Sequence, residues 1–133
     1  MFKRLSAGLA LGGGMIAAAV ILRLLQRAGS IDVATSTRAI QVLIGVMLAA
    51  YANGMPKDLG RWMPPDAAAR ILSALRVGGW SLTLAGVGYA ALWALTPIAL
   101  ASVAGTVLIA SATIVTAGYA TWMFVVCRTA RHA

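Results

Sequence analysis

The sequence predicts an all-α fold, an integral membrane four-helix bundle forming one domain over residues 1–133. Three observations carry that prediction. The chain is 61% hydrophobic and 11% charged, against roughly 45–50% and 25% in soluble domains. It divides into four apolar runs, 5–25, 39–55, 77–95 and 98–126, each near or above the ~17 residues that a helix needs to cross a hydrocarbon core of about 30 Å. Charge is confined to the links and run ends: there is no Glu, and the three acids, Asp32, Asp58 and Asp66, all lie outside the runs.

The first run follows a basic head, Lys3-Arg4. It exceeds the roughly 7–15 apolar residues of a secretory signal, so it reads as a span. Gly12, Gly13 and Gly14 lie mid-run. They weaken a helix but allow a neighbouring helix close. Arg23 sits near the far end, where its stem carries the guanidinium to the interface. Gly29-Ser30 reads as a helix stop, and Thr35, Ser36 and Thr37 as N-cap candidates for the next helix.

In the second run Gly45, Ala49 and Asn53 recur every four residues, a small-residue stripe suited to helix packing. Gln41, one turn in from the outer end, reads as solvated or paired. Pro56 disfavours a helical Met55 and is expected to end the span. The connection 56–76 follows. Pro64-Pro65-Asp66 signals a fresh helix start, leading either to a surface helix over 66–76 or to an inward extension of the third span. In the third run Leu82, Gly86, Ala90 and Ala94 repeat the four-residue spacing, and Gly78-Gly79 permits a bend. Thr96-Pro97 is the whole link to the last run, so the third and fourth spans are antiparallel neighbours. That last run is ~43 Å long as a helix, so it tilts, kinks near Gly105 or Gly118, or protrudes. Its Ser and Thr hydroxyls can bond back to carbonyls one turn earlier.

Four spans place both termini and the connection on one side. That side holds Lys3, Arg4, Lys57, Arg61, Arg70, Arg76, Arg128 and Arg131, eight of the eleven basic residues. The positive-inside rule makes it cytoplasmic, and the expected location is a bacterial cell (inner) membrane. Tyr51, Trp62, Trp80 and Trp122 fall near the inner boundary and Trp93 near the outer one, as interface anchors do. The net charge of +8 then reflects contact with anionic lipid headgroups rather than nucleic acid.

Candidate chemistry is sparse. His132 is the only histidine and Cys127 the only cysteine, so no metal, haem or nucleophile–base set is implied inside the spans, and no cofactor. No acid lies in a run to couple protons to an exported substrate. The chain therefore reads as non-enzymatic. Small-residue stripes with no polar site suggest an accessory or scaffold subunit that meets other membrane protein subunits, with Gly45, Ala49, Gly86 and Ala90 as packing residues. A small transporter using Gln41, Asn53 and the last helix's hydroxyls is an alternative.

Over about residues 44–89 the chain also resembles SdpI-type membrane proteins, which act in toxin immunity and signalling. The likeness rests on Asn53, Pro56 and Lys57 at one helix end and Arg76, Gly78 and Gly79 at the start of the next. That family's Gly-Ile-Arg-Thr-Pro-Trp core is absent. The resemblance implies an immunity or signalling role with the inner connection as working surface. Asn53, Pro56, Lys57, Arg61 and Arg76 are accordingly the residues singled out for a functional or partner contact.

Overall fold

A computed structural model describes the chain over residues 2–59 and 65–129, with side chains over 9–54 and 72–125. It is all-helical: α1 Phe2–Arg27, α2 Val33–Leu59, α3 Pro65–Leu95 and α4 Ile98–Thr129. Among the described residues, three stretches are long and apolar enough to cross a membrane: Leu9–Arg27, Val33–Gly54 and Ile98–Val125. α3 is not among them. Gly78, Gly79, Gly86 and Gly88, with Trp80, Tyr89 and Trp93, dilute its apolar character. Among the described residues the main helix contacts follow chain order. α3 packs along both α2 and α4, and α1 makes only a short contact with α2.

Local sequence explains the helix ends. α1 stops at Gly29, which adopts φ 71°, a conformation open to glycine at little cost. Gly29 N–H donates to the Gln26 carbonyl at 3.1 Å and Ser30 N–H to the Leu25 carbonyl at 3.0 Å. That paired closure satisfies carbonyls the last turn would otherwise leave open. α2 begins earlier than expected, because the cap is Asp32 rather than Thr35, Ser36 or Thr37. The Thr35 N–H donates to Asp32 Oδ1 at 3.2 Å, and three residues from cap to donor is the N-cap spacing.

The Thr35 hydroxyl, and after it the Thr35 amide, hold the Asp32 carboxyl below its ordinary 3.8. A depressed folded value means that the carboxylate's contribution is fully present above pH 3.8 and is lost as pH falls through the folded value. Asp32→Ala is therefore expected to speed amide exchange at Ala34 and Thr35 at neutral pH. The difference from the parent chain should vanish once Asp32 is protonated. An equal difference at both pH values would remove the capping role.

Two boundaries differ from the sequence reading. Pro56 does not end α2, which runs on to Leu59. Proline forfeits one backbone bond, here to the Ala52 carbonyl. The loss is that one bond, and only three further residues follow in the helix. Residues 66–76 form no separate surface helix, because α3 is one helix from Pro65 to Leu95. Gly78 and Gly79 are buried within it. A Cβ on Gly78 would lie 2.9 Å from Thr116 Cγ2 of α4, so this glycine makes room for a neighbour. α4 likewise continues through Gly105 and Gly118.

Among the described residues the buried positions are Ala49, Ala52, Ala85, Ala101, Ala112, Gly45, Gly78, Gly79, Gly86 and Gly105, with Trp93 the one large member and Ser36 the one polar. Ile16, Val103, Ile114 and Phe124 are exposed. A fold whose large apolar groups face outward and whose interior is mainly alanine and glycine suits hydrocarbon, where close packing rather than apolar burial holds helices together.

Candidate functional site

The tightest contact joins α2 to α3. A Cβ on Gly45 would lie 2.7 Å from the Gly86 carbonyl oxygen and 2.8 Å from the Ala90 nitrogen. A Cβ on Gly86 would lie 2.6 Å from the Gly45 carbonyl oxygen and 2.7 Å from the Ala49 nitrogen. Gly45, Ala49, Gly86 and Ala90 thus meet backbone to backbone, and only glycine fits at two of the four. Thr83 Oγ1 lies 3.5 Å from the Ala49 carbonyl oxygen, a long bond at the same seam.

Asn53 does not continue this face. It is exposed, whereas Ala52 is 1% exposed. At 3.6 residues per turn, two four-residue steps drift about 80° around the helix, whereas seven residues drift about 20° the other way. The same arithmetic applies on α3, where Ala94 is exposed and Trp93 buried. Trp93 is thus no interface anchor: at 5% exposure it lies inside. Its Nε1 would sit 3.4 Å from a Cβ on Gly105, and the Tyr89 ring 2.8 Å from it.

At this end of the array the helices share their only described interhelical bonds between long polar side chains and their neighbours. Arg38 Nη1 donates to the Trp93 carbonyl at 3.0 Å. Tyr89 Oη donates to Gln41 Oε1 at 2.7 Å. The Tyr89 and Trp93 ring centroids are 6.2 Å apart. Arg38 offers a cation near the negative end of α3, where carbonyls lack helical partners. Buried Trp93 Nε1 has no hydrogen-bond partner among the described residues. An unmet donor costs about 1–3 kcal/mol, which the packing of the indole on α4 must offset. Arg38 and Tyr89 were not singled out from sequence, and Trp93 only as an interface anchor. The signal was present as one-turn spacings, 38/41 on α2 and 89/93 on α3, but joining them requires the register between helices.

None of Arg38, Gln41, Tyr89 and Trp93 is a carboxylate, imidazole or thiol, so the cluster lacks the groups that usually move protons at neutral pH. The hydroxyls of α4 are also engaged. Thr106, Ser111, Thr113, Thr116 and Thr121 donate to carbonyls four residues earlier, and Ser102 to Ala99, all at 2.8–2.9 Å.

The five residues singled out for a functional contact are not gathered into one described site. Asn53 and Arg76 are exposed, on α2 and α3 respectively. No described hydrogen bond links them. Pro56 and Lys57 belong to the last turns of α2, but their side chains, with Arg61, lie outside the described residues, as do the side chains of Arg70, Cys127 and His132. Compared with known proteins, the chain matches no family model, no curated protein and no solved structure.

Proposed function

We propose that this chain is a non-catalytic integral membrane protein of four spans, serving as an accessory or scaffold subunit of a larger membrane assembly. The observation that supports this reading is the state of α1. Gly12, Gly13 and Gly14 have nothing within 4 Å of where a Cβ would stand. Each glycine costs a helix up to ~1 kcal/mol relative to alanine in water. At Gly45 and Gly86 that cost is offset by backbone contact. On α1 the same device meets no described residue of this chain, and small residues on a membrane helix favour close approach by another.

The reading takes α3 as a fourth crossing. It lies between two apolar helices, and two residues, Thr96 and Pro97, join it to α4. Four crossings put both termini and residues 56–76 on the side with eight of the eleven basic residues, cytoplasmic by the positive-inside rule in a bacterial inner membrane. Thr96→Cys, made with Cys127→Ser, should then react with an impermeant maleimide added to intact spheroplasts. Reaction only after lysis would exclude this topology.

Purification of the full chain in a mild detergent tests the subunit role. A second membrane protein is expected to co-purify and to be lost in Gly13→Leu, with the melting temperature of the chain unchanged. A partner-free monomer from native membranes overturns the subunit reading. Immunity or signalling through the connection 56–76, on the SdpI-type likeness, and solute transport are the competing proposals.

A further inference from the structure

One stripe of α3 borders an open groove. Leu72, Ser73, Arg76 and Val77 stand at i, i+1, i+4 and i+5 and line an open groove of about 530 Å³. Among the described residues its walls are largely aliphatic, with one fixed positive charge. Arg76 is exposed and makes no ion pair or hydrogen bond with a described residue. Such a residue on a chain with only three acids has few protein anions to meet.

Depth adds a second argument, and it rests on the reading of α3 as a membrane crossing. From Leu95 back to Arg76 is about 30 Å of helix rise, equal to the hydrocarbon thickness. Helical side chains lean toward the N-terminus, so the guanidinium reaches beyond that boundary into the layer of lipid phosphates. One turn deeper, Trp80 is 65% exposed, where an indole marks the interface. Val77 lies beside the path from the phosphate layer toward Trp80.

We infer that this groove seats one anionic phospholipid, its phosphate held by the Arg76 guanidinium and its glycerol and upper acyl chain against Val77. Arginine suits the task, because its planar fork pairs two phosphate oxygens at once and is only weakly hydrated. A zwitterionic lipid carries its own ammonium beside the phosphate and gains less from the same contact.

Native mass spectrometry of the full chain, released from micelles holding equal amounts of phosphatidylglycerol and phosphatidylcholine with identical acyl chains, tests the site. One phosphatidylglycerol is expected to be retained in preference. Arg76→Gln should lower its occupancy about fivefold, the factor that one basic residue contributes beside an anionic lipid surface. Arg23→Gln, an exposed arginine on α1, should leave occupancy unchanged, and Arg76→Lys should keep part of it. Equal retention of both lipids, or full phosphatidylglycerol retention in Arg76→Gln, overturns the site. Displacement of the lipid by inorganic phosphate overturns the lipid assignment in favour of a free-anion site. The Thr96→Cys labelling reports separately on whether α3 crosses. Loss of lipid in Arg76→Gln together with failed labelling would retain the site and discard only the depth argument.

Discussion

Gly86→Leu is expected to separate α2 from α3 and to lower stability by about 3 kcal/mol or more, at or above the upper end of the usual range for overpacked interiors. That range describes cores in which neighbouring side chains change rotamer to make room. Here the obstructing atoms are the Gly45 carbonyl oxygen and the Ala49 nitrogen, 2.6 and 2.7 Å from the new Cβ. Both belong to helix backbone, which cannot rotate aside. The only relief is to move one helix away from the other, which also lengthens the Thr83–Ala49 contact and loosens Ala52 and Ala85. Denaturation followed by circular dichroism in a single detergent, with size-exclusion profiles, measures the loss. Gly13→Leu is the matched control. With nothing near its Cβ, it should be neutral or, by helix propensity, slightly stabilising. Equal stability of Gly86→Leu and the parent chain would show that the two backbones do not touch.

The contrast between those two glycines shows what could be read in advance. Apolar runs and their punctuation located the helices, because hydrocarbon admits almost nothing else across its thickness. Four-residue spacing drew attention to Gly45, Ala49, Gly86 and Ala90, which do meet. Spacing alone could not say that Gly12, Gly13 and Gly14 would be left without a neighbour, since that depends on where another helix lies. It also overreached at Asn53 and Ala94, where the helix had rotated off the contact and Ala52 and Trp93 had taken over. Asp32 was legible as a cap in retrospect: an Asp three residues before the donor of Thr35 is a strong N-terminal signal, overlooked beside three nearby hydroxyls. Pro56 forfeits one backbone bond without ending α2, which continues three residues past it. The links among Arg38, Gln41, Tyr89 and Trp93 span two helices about 50 positions apart, and no local pattern fixes such a register.

Gly105→Leu should be nearly as damaging at the other interface, for a different reason. From sequence, Gly105 was a possible kink. In the fold it is a seat for two aromatic rings, with Tyr89 Cε2 2.8 Å and Trp93 Nε1 3.4 Å from a Cβ placed there. Rings can move where backbone cannot, so the steric term alone would fall at about 1–3 kcal/mol. These rings are tethered, however. Tyr89 donates to Gln41, and the Trp93 carbonyl holds Arg38. A shift away from α4 therefore strains or breaks contacts to α2. Tyr89→Phe measures that tether by itself. Interhelical hydrogen bonds in membranes average ~0.6 kcal/mol and reach ~1.7, so packing should outweigh the bond. The two changes should not add. If leucine at 105 has already pulled the Tyr89 hydroxyl from Gln41, then Tyr89→Phe costs nothing further in that background. A double-mutant cycle in one detergent reads this coupling directly. Full additivity would mean that the ring kept its place and that α2–α3 and α3–α4 contacts form independently. Strong coupling would make α3 the element through which a load on α4 reaches α2.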